Sequence, residues 1–349
     1  MQHLILAGGG HAHLFGLSLK QLPSLPKLQI TLISPSRHQY YSGMYSGFAE
    51  GIYSDEEIRV DLKKTAERAG ITFLQTEVFS ADSVKKQVFC RDGSVLSYDL
   101  LSFDIGSSEQ EKEALPIKPN FHFTDSIMDF RESEAPVIAG SGAAGLELAL
   151  SVQAWRKKNS RKTPVVLVGP EPYISEKFNG KLKSISRRKG IRLLSEKAEQ
   201  IQPHSLITSS GKEIPFSSLL FLGGPSAHPV LAKSFLMTDR NGFLLVDSFL
   251  ESVQRQGVFG AGDCVTLTEY PSLPKNGLYA IRQGEILWEN FRRYADGRTL
   301  KPFSPQKRYL SILSIGDREG FLMRGSIGLK GSFAWKLKRK IDQDYMGSF

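Results

Sequence analysis

Two glycine clusters and one carboxylate carry the chemistry that this sequence can offer. Gly8-Gly9-Gly10-His11-Ala12-His13 and Gly140-Ser141-Gly142-Ala143-Ala144-Gly145 each follow a short apolar run and precede a segment of helical spacing. A strand that turns through glycine into a helix aims backbone N–H groups and the positive end of the helix dipole at one point. Such a point suits a pyrophosphate. The second cluster has the complete spacing of a dinucleotide-binding loop, whereas the first has His13 where the third glycine would stand. That glycine normally lets helix and strand pack closely, so His13 is expected to point outward or to hold the helix slightly away. Further on, Gly260-Ala261-Gly262-Asp263 sets a carboxylate at the mouth of a glycine turn after a short apolar strand.

The surrounding segments must position these groups. Residues 12–21 read as the first loop helix and residues 29–33 as the second strand. That strand ends in Ser34-Pro35, where such units usually carry an acid for the ribose. Residues 37–51 read as a loop and 55–69 as a helix. Residues 84–101 read as a hairpin turning at Asp92-Gly93. One buried strand ends at Asp104-Ile105-Gly106 and another at Leu222-Gly223-Gly224, so each glycine loop has its own later strand and turn. This echo predicts two nucleotide-binding units of similar plan. The second unit's next strand ends in Gly169-Pro170, with Glu171 as its nearest acid. Residues 108–119, charged and proline-bearing, read as a crossing between the units. Residues 181–189 read as a basic helix, and 278–294 as a helix introduced by Asn276-Gly277.

Composition narrows the class. In 349 residues, 40% hydrophobic and 23% charged describe an ordinary globular protein with sizeable cores. No apolar run is long enough to span a membrane, and the first residues lack the features of a secretion signal. Two cysteines, Cys90 and Cys264, make neither a disulfide framework nor a zinc site, so no metal is expected and a reducing, cytoplasmic setting is. Part of the net charge of +9 is clustered, at 156–162, 187–189 and 336–340. Solvated faces account for such clusters, or attraction to a phosphate-rich ligand or anionic membrane. No nucleic-acid-binding motif accompanies them.

With these residues in view, the chain resembles the flavoproteins of two dinucleotide-binding domains, which bind FAD in one unit and NAD(P)H in a second inserted into it. The paired glycine loops and Gly260-Ala261-Gly262-Asp263 carry the resemblance over nearly the whole chain. It is nearest the type II NADH dehydrogenase-like branch, and within it the flavoprotein domain found fused to selenide, water dikinase. The stretches shared with that subgroup are Gly8 to His13, Tyr41-Ser42-Gly43-Met44, Asn276 to Gly284 and Leu310 to Ser314.

The resemblance implies an α/β fold of two Rossmann-like domains, the second inserted in the first. The FAD domain would comprise residues 1–108 and 229–300, the NAD(P)H domain 109–228, and a short C-terminal extension 301–349. Cofactor contacts are expected from Gly8, Gly9, Gly10, His11, Ala12, Ser34, Arg37, Tyr41, Ser42, Gly43, Asp104 and Gly106. They are expected too from Gly140, Gly142, Ala143, Ala144, Gly145, Gly224, Gly262, Asp263, Asn276 and Gly277, with Asp263 on the FAD ribityl chain. Glu147 matches an acid near the nicotinamide, and Gln283 a glutamine of the quinone-side motif; both are expected to be catalytic.

The implied function is an FAD-dependent NAD(P)H dehydrogenase. Hydride passes from NADH or NADPH to flavin, and electrons go on to a quinone-like or other small acceptor without a redox-active disulfide. The alternative is a flavin-binding scaffold or sensor with little turnover, fed by Ser34, Gly169 and the altered quinone motif around Arg282. Phe333, Leu337, Ile341 and Tyr345 form one stripe of a basic tail helix, with Trp335 opposite. Either the stripe gives peripheral contact with the inner face of a cell membrane, or it packs on the chain's own FAD domain.

Overall fold

In the computed structural model, which describes residues 1–18, 27–108, 111–306 and 309–349, the apolar run before each glycine loop is an inner strand of a parallel sheet. Gln2–Ala7 lies between Leu28–Ile33 and Leu100–Phe103, with Gln2 opposite Leu28 and Leu4 opposite Leu100. Thr72–Leu74 and Val258–Gly260 extend the two sides. The second sheet repeats the plan: Pro136–Ala139 lies between Val166–Val168 and Ser218–Phe221, with Arg192–Leu194 outermost. Parallel strands covered on both faces read as unbroken apolar runs rather than alternating ones, which is how these appear in the sequence.

The echo between the units goes further. Each carries a three-stranded antiparallel meander after its outer strand. In the first unit it is Val78–Asp82, Gln87–Cys90 and Val95–Ser97; in the second it is Ala198–Gln202, Ser205–Thr208 and Glu213–Pro215. The hairpin expected over 84–101 is thus two strands of three, with Gly93 at φ +86° in its turn. Ser108 and Ser226 form an antiparallel bridge, so the chain crosses between units twice at one place.

Several local expectations change. The first loop helix is His11–Leu17, and positions 19 and 21 of the expected helix lie outside the described residues. Residues 55–69 are not one helix: Arg59–Asp61 pairs with His38–Tyr40, and the helix is Leu62–Arg68. Asp61 accepts from Lys64 N at its N-terminus, so the cap starts the helix later than the apolar spacing suggests. Residues 37–51 hold the short helix Tyr45–Ala49 besides that strand. The basic helix begins earlier than expected, as Glu176–Lys189, and Gly277–Ala295 forms the long one. Arg156, counted with a basic surface cluster, is buried and donates to the carbonyls of Arg131, Ser133 and Thr163.

The tail adds a three-stranded sheet, Ser311–Ser314, Gly320–Arg324 and Ile327–Gly331, followed by the helix Ser332–Met346. The inner face of that helix holds Ala334, Trp335 and Asp342, while Phe333, Leu337 and Ile341 stay exposed. The apolar stripe is therefore split: Tyr345 turns inward with Trp335, and the other three residues face out.

Candidate functional site

A cavity of about 630 Å³ begins at the first glycine loop and runs to the second unit. Ser34, Pro35, Ser36, Glu77 and Val78 line one end. Gly8, Gly9, Gly10, His11, Asp104, Gly106 and Asp263 line its middle, with Asn276 and Gly277. Tyr45, Phe121, Phe123, Ala144, Glu147, Leu148 and Leu222 line it toward the second unit. Gly224 is also part of its wall.

The backbone at the two loops is built alike. Gly8 and Gly140 take φ of +93° and +124°, and a Cβ on either would strike the carbonyl ending the neighbouring strand, at Asp104 and Leu222 respectively. Their N–H groups bond Ile33 O and Val168 O, each at 2.8 Å. A Cβ on Gly145 would collide with the Gly140 carbonyl oxygen, which is the close approach that the third glycine permits.

His13 solves the same packing problem differently. It does not point outward: it is fully buried, with Nδ1 donating to Gly8 O at 2.6 Å and Nε2 accepting from the Ser102 hydroxyl at 2.8 Å. A carbonyl can only accept, so Nδ1 carries a proton; the ring is neutral, with Nε2 as acceptor, because burial disfavours the imidazolium. Burial holds its pKa down at about 4. The loop helix is then clamped by the long helix: Trp288 Nε1 donates to Ala12 O, and Gly16 lies against the Trp288 ring.

Asp104 and Asp263 face this stretch. Asp104 is buried, and its Oδ2 accepts from Ala12 N at 2.7 Å and His13 N at 3.0 Å. Burial pushes its carboxyl up to about 7, with Asp263 adding to the effect and the two amides opposing it. Asp263 begins the turn after Gly262, whose N–H donates to Gln283 Oε1 at 2.7 Å. Asn276 Oδ1 caps the long helix at Tyr279 N. His11, at the loop helix start, is kept neutral by burial against the opposing pull of Asp263.

Not every expected residue meets the cavity. Arg37 is exposed and committed to Asp61 through Nε and Nη2, and this pairing holds the Asp61 carboxyl down at about 2. Gln283 is buried and spends its carboxamide oxygen on Gly262, outside the cavity lining. Tyr41 and Gly43 stand behind Ser42, which does line it. The Tyr41 ring stacks on Tyr345 at 4.3 Å between centroids, and its hydroxyl donates to Asp342 at 3.1 Å. Gly140, Gly142, Ala143 and Gly145 also lie outside this cavity; Gly142 and Ala143 are solvent-exposed at the second loop helix Ala143–Lys158.

Sequence reasoning missed Lys338, which it took for tail surface. Its ammonium donates to Gly43 O and to Asp342 at 2.8 Å, with little solvent exposure. Burial alone would lower its pKa, but Glu147 and Asp342 together raise it. Glu147 is half-buried at the cavity wall and accepts from Ser314 N at 2.8 Å. The signal was there in Lys338 and Asp342 four apart on a helix, the spacing of a mutual pair. Lys118, Lys275 and Glu77 were missed as well, and no spacing marks them out.

Glu171, the acid considered for a ribose contact, is occupied by its own chain. It accepts from Lys183 Nζ, Ser195 Oγ and Asn179 Nδ2, each at 2.6 Å, and these donors hold it down at about 2. Cys90 and Cys264 are both free and buried. Burial pushes the Cys264 thiol up to about 12, so it carries no thiolate to relay electrons.

The cavity fits an extended dinucleotide carrying a flat ring system: it has a polar end at Ser34 and Ser36, glycine turns at its middle, and an aromatic end at Tyr45 and Phe123. Comparison with known proteins agrees. The family model of the pyridine nucleotide-disulphide oxidoreductases matches residues 2–284. The chain is 23% identical to the NADH dehydrogenase-like protein YutJ of Bacillus subtilis, over 97% of this chain and 99% of that one. It is 20% identical to a type II NADH:quinone oxidoreductase of Staphylococcus aureus, over 97% and 94%. Among solved structures, NDH2 from Plasmodium falciparum in complex with NADH superposes with a TM-score of 0.83 at 14% identity, covering 99% of this chain and 97% of that chain. The sulfide:quinone oxidoreductase from Aquifex aeolicus gives 0.81 at 18%, covering 99% and 91%. Two Rossmann-like units, a cavity joining them and a family model that spans both place the chain in the pyridine nucleotide-disulphide oxidoreductase family, as an FAD-dependent NAD(P)H oxidoreductase.

Proposed function

We propose that this chain is an NADH dehydrogenase-like enzyme that draws hydride from NADH or NADPH and delivers electrons to a quinone-like acceptor without a protein disulfide. The observation that carries the reading is the continuity of the cavity, from the first glycine loop to Ala144, Glu147 and Leu222 of the second unit. In this reading FAD belongs to residues 1–108 and 229–300 and the nicotinamide nucleotide to 109–228. FAD supplies the redox chemistry when bound; the chain supplies position, electrostatics and exclusion of water.

The first loop and Asp263 hold the dinucleotide, Tyr45 and Phe123 wall its flat end, and Glu147 stands where the nicotinamide would arrive. Gln283 is a positioning residue, acting through the Gly262 turn. The acceptor assignment draws on relatives such as the Staphylococcus aureus type II NADH:quinone oxidoreductase. Within the family, the stretches around Tyr41 and Asn276 favour the subgroup of flavoprotein domains fused to selenide, water dikinase.

An anionic membrane surface is the partner we propose for the tail. Exposed Ile327, Leu329, Phe333, Leu337 and Ile341 lie on the last strand and the helix after it, beside exposed Lys336 and Lys340. Each basic residue near such a surface contributes about 1 kcal/mol, so binding should be weak and salt-sensitive. No helix among the described residues is long and apolar enough to cross a membrane.

The function is tested by anaerobic titration of the purified yellow protein with NADH and with NADPH. Bleaching of the flavin band supports the reading, and a spectrum unchanged by both nucleotides refutes it. For the tail, sedimentation with anionic vesicles should be lost in high salt, and equal sedimentation with neutral vesicles refutes the assignment.

A further inference from the structure

The cavity has the wrong charge for a diphosphate ligand. Among the described residues, four acids line the cavity, Glu77, Asp104, Asp263 and Glu147, against two lysines, Lys118 and Lys275. A pyrophosphate diester would bring two more negative charges. The chain is strongly basic overall, so the acidity belongs to this cavity and not to the protein as a whole.

Asp104 is the acid most directly in the way. Its Oδ2 takes the Ala12 and His13 amides, two of the helix-end donors that would otherwise face an anion. Its Oδ1 lies against Gly10 and close to Gly262, between the two glycine turns, and makes no hydrogen bond with the other described residues. The fold does not demand this carboxylate. Phe103 pairs with Ala7 as Phe221 pairs with Ala139, so the second unit has Leu222 at the position of Asp104. The second loop forms without an acid there.

We infer that Asp104 is a neutral carboxylic acid in the flavin-bound protein: Oδ2 caps the loop helix, and the proton on Oδ1 is donated to the FAD pyrophosphate. Flavin retention is thereby linked to one proton. The inference rests on the flavin reading above and adds to it the protonation state of the site. Burial already favours the neutral form, with a pKa of about 7 before a diphosphate is added.

Among the described residues, the other groups facing Asp104, Lys275 apart, do not supply the same dependence at neutral pH. His11 and His13, from the loop helix, are held neutral by burial. From the Gly262 turn come Asp263, whose charge raises Asp104, and Cys264, whose thiol is pushed up to about 12 by burial. Tyr345, from the C-terminal helix, is raised by burial and stays protonated. Lys275, ahead of the long helix, is lowered by burial and is the one competitor as a titrating group.

The experiment measures FAD release from the diluted holoprotein by flavin fluorescence between pH 6 and 9, for wild type, Asp104→Asn and Asp104→Leu. For wild type the dissociation constant should be flat up to about pH 7 and then rise ~10-fold per pH unit, the slope of one linked proton. Asp104→Asn, which donates without titrating, should hold FAD as tightly as wild type at pH 6.5 and keep that affinity at pH 8.5. Asp104→Leu, the side chain of the second unit, should release FAD more readily than Asp104→Asn at every pH. A flat wild-type profile overturns the inference. So does a slope that survives unchanged in Asp104→Asn, which would belong to Lys275. A wild-type protein holding no FAD at any pH removes the flavin reading itself, a result distinct from either.

Discussion

His13→Ala tests whether the polar lock in the first loop replaces the missing glycine. Truncation leaves the part-buried Gly8 carbonyl and the buried Ser102 hydroxyl without their partner. Each buried polar group left unsatisfied costs about 1–3 kcal/mol, and the hydroxyl can turn, so the sum is about 2–4 kcal/mol at pH 7.5. In thermal unfolding that is a drop of roughly 5–12 °C for a domain of this size.

The same residue sets a pH signature. Its folded pKa of about 4 lies below the ordinary 6.5, so the unfolded chain binds the proton more readily. The lock's contribution is complete above the unfolded value and is lost as pH falls toward the folded one. At pH 5.5 wild type has therefore given up ~1.4 kcal/mol that the alanine variant never had. The gap between the two proteins should narrow by that amount from pH 7.5 to 5.5. His11, also lowered by burial, is common to both and cancels. The assay is thermal melting of the holoproteins, followed by circular dichroism and flavin release at both pH values. A gap that stays constant or widens at pH 5.5 refutes the neutral buried tautomer. A melting temperature within 1–2 °C of wild type at pH 7.5, roughly half a kcal/mol, refutes the lock.

Three further variants separate the roles assigned to other parts. Gly142 has open space around a built Cβ and an ordinary φ, so Gly142→Val should fold and keep its flavin. Its reduction by NADH and NADPH should fall by at least ~100-fold in a stopped-flow trace, because a side chain blocks the pyrophosphate; reduction at the wild-type rate assigns the second loop elsewhere. Glu171 is committed to Lys183, Ser195 and Asn179, so Glu171→Ala should shift the NADH-to-NADPH ratio of kcat/KM by less than ~3-fold, under 1 kcal/mol. A selective tenfold loss with NADH would show that the carboxylate reads the ribose after all. Replacing both Cys90 and Cys264 by alanine should leave turnover per bound flavin within about twofold of wild type, since neither buried thiol is a nucleophile, and a hundredfold loss would reinstate a cysteine relay.

What could be read from the sequence was local. A glycine loop announces itself because strand, turn and helix start lie within a dozen residues, and both loops fold as their spacing implies. The parallel strands show as apolar runs for the same reason: burial on both faces is written into each strand alone. What the sequence hides is which polar group is already spoken for. His13 breaks the glycine pattern when read beside its neighbours, but its partner Ser102 comes from the strand that pairs with Ala7 and its own neighbours. The histidine and that serine together stand where the second unit has Gly145 and Leu220. Arg37 and Glu171 looked available for ligands, and the fold consumes both, through Asp61 and through Lys183 with Asn179 and Ser195. Lys338 is the converse, a tail residue read as surface that reaches Gly43 behind the cavity wall because Asp342, one turn on, neutralises it. A motif fixes where the backbone turns, while the charge state of the site is set by contacts between distant segments. That is why the glycines are legible in the sequence, whereas the protonation of Asp104 is set by the helix amides it caps in a buried loop where the second unit carries a leucine instead.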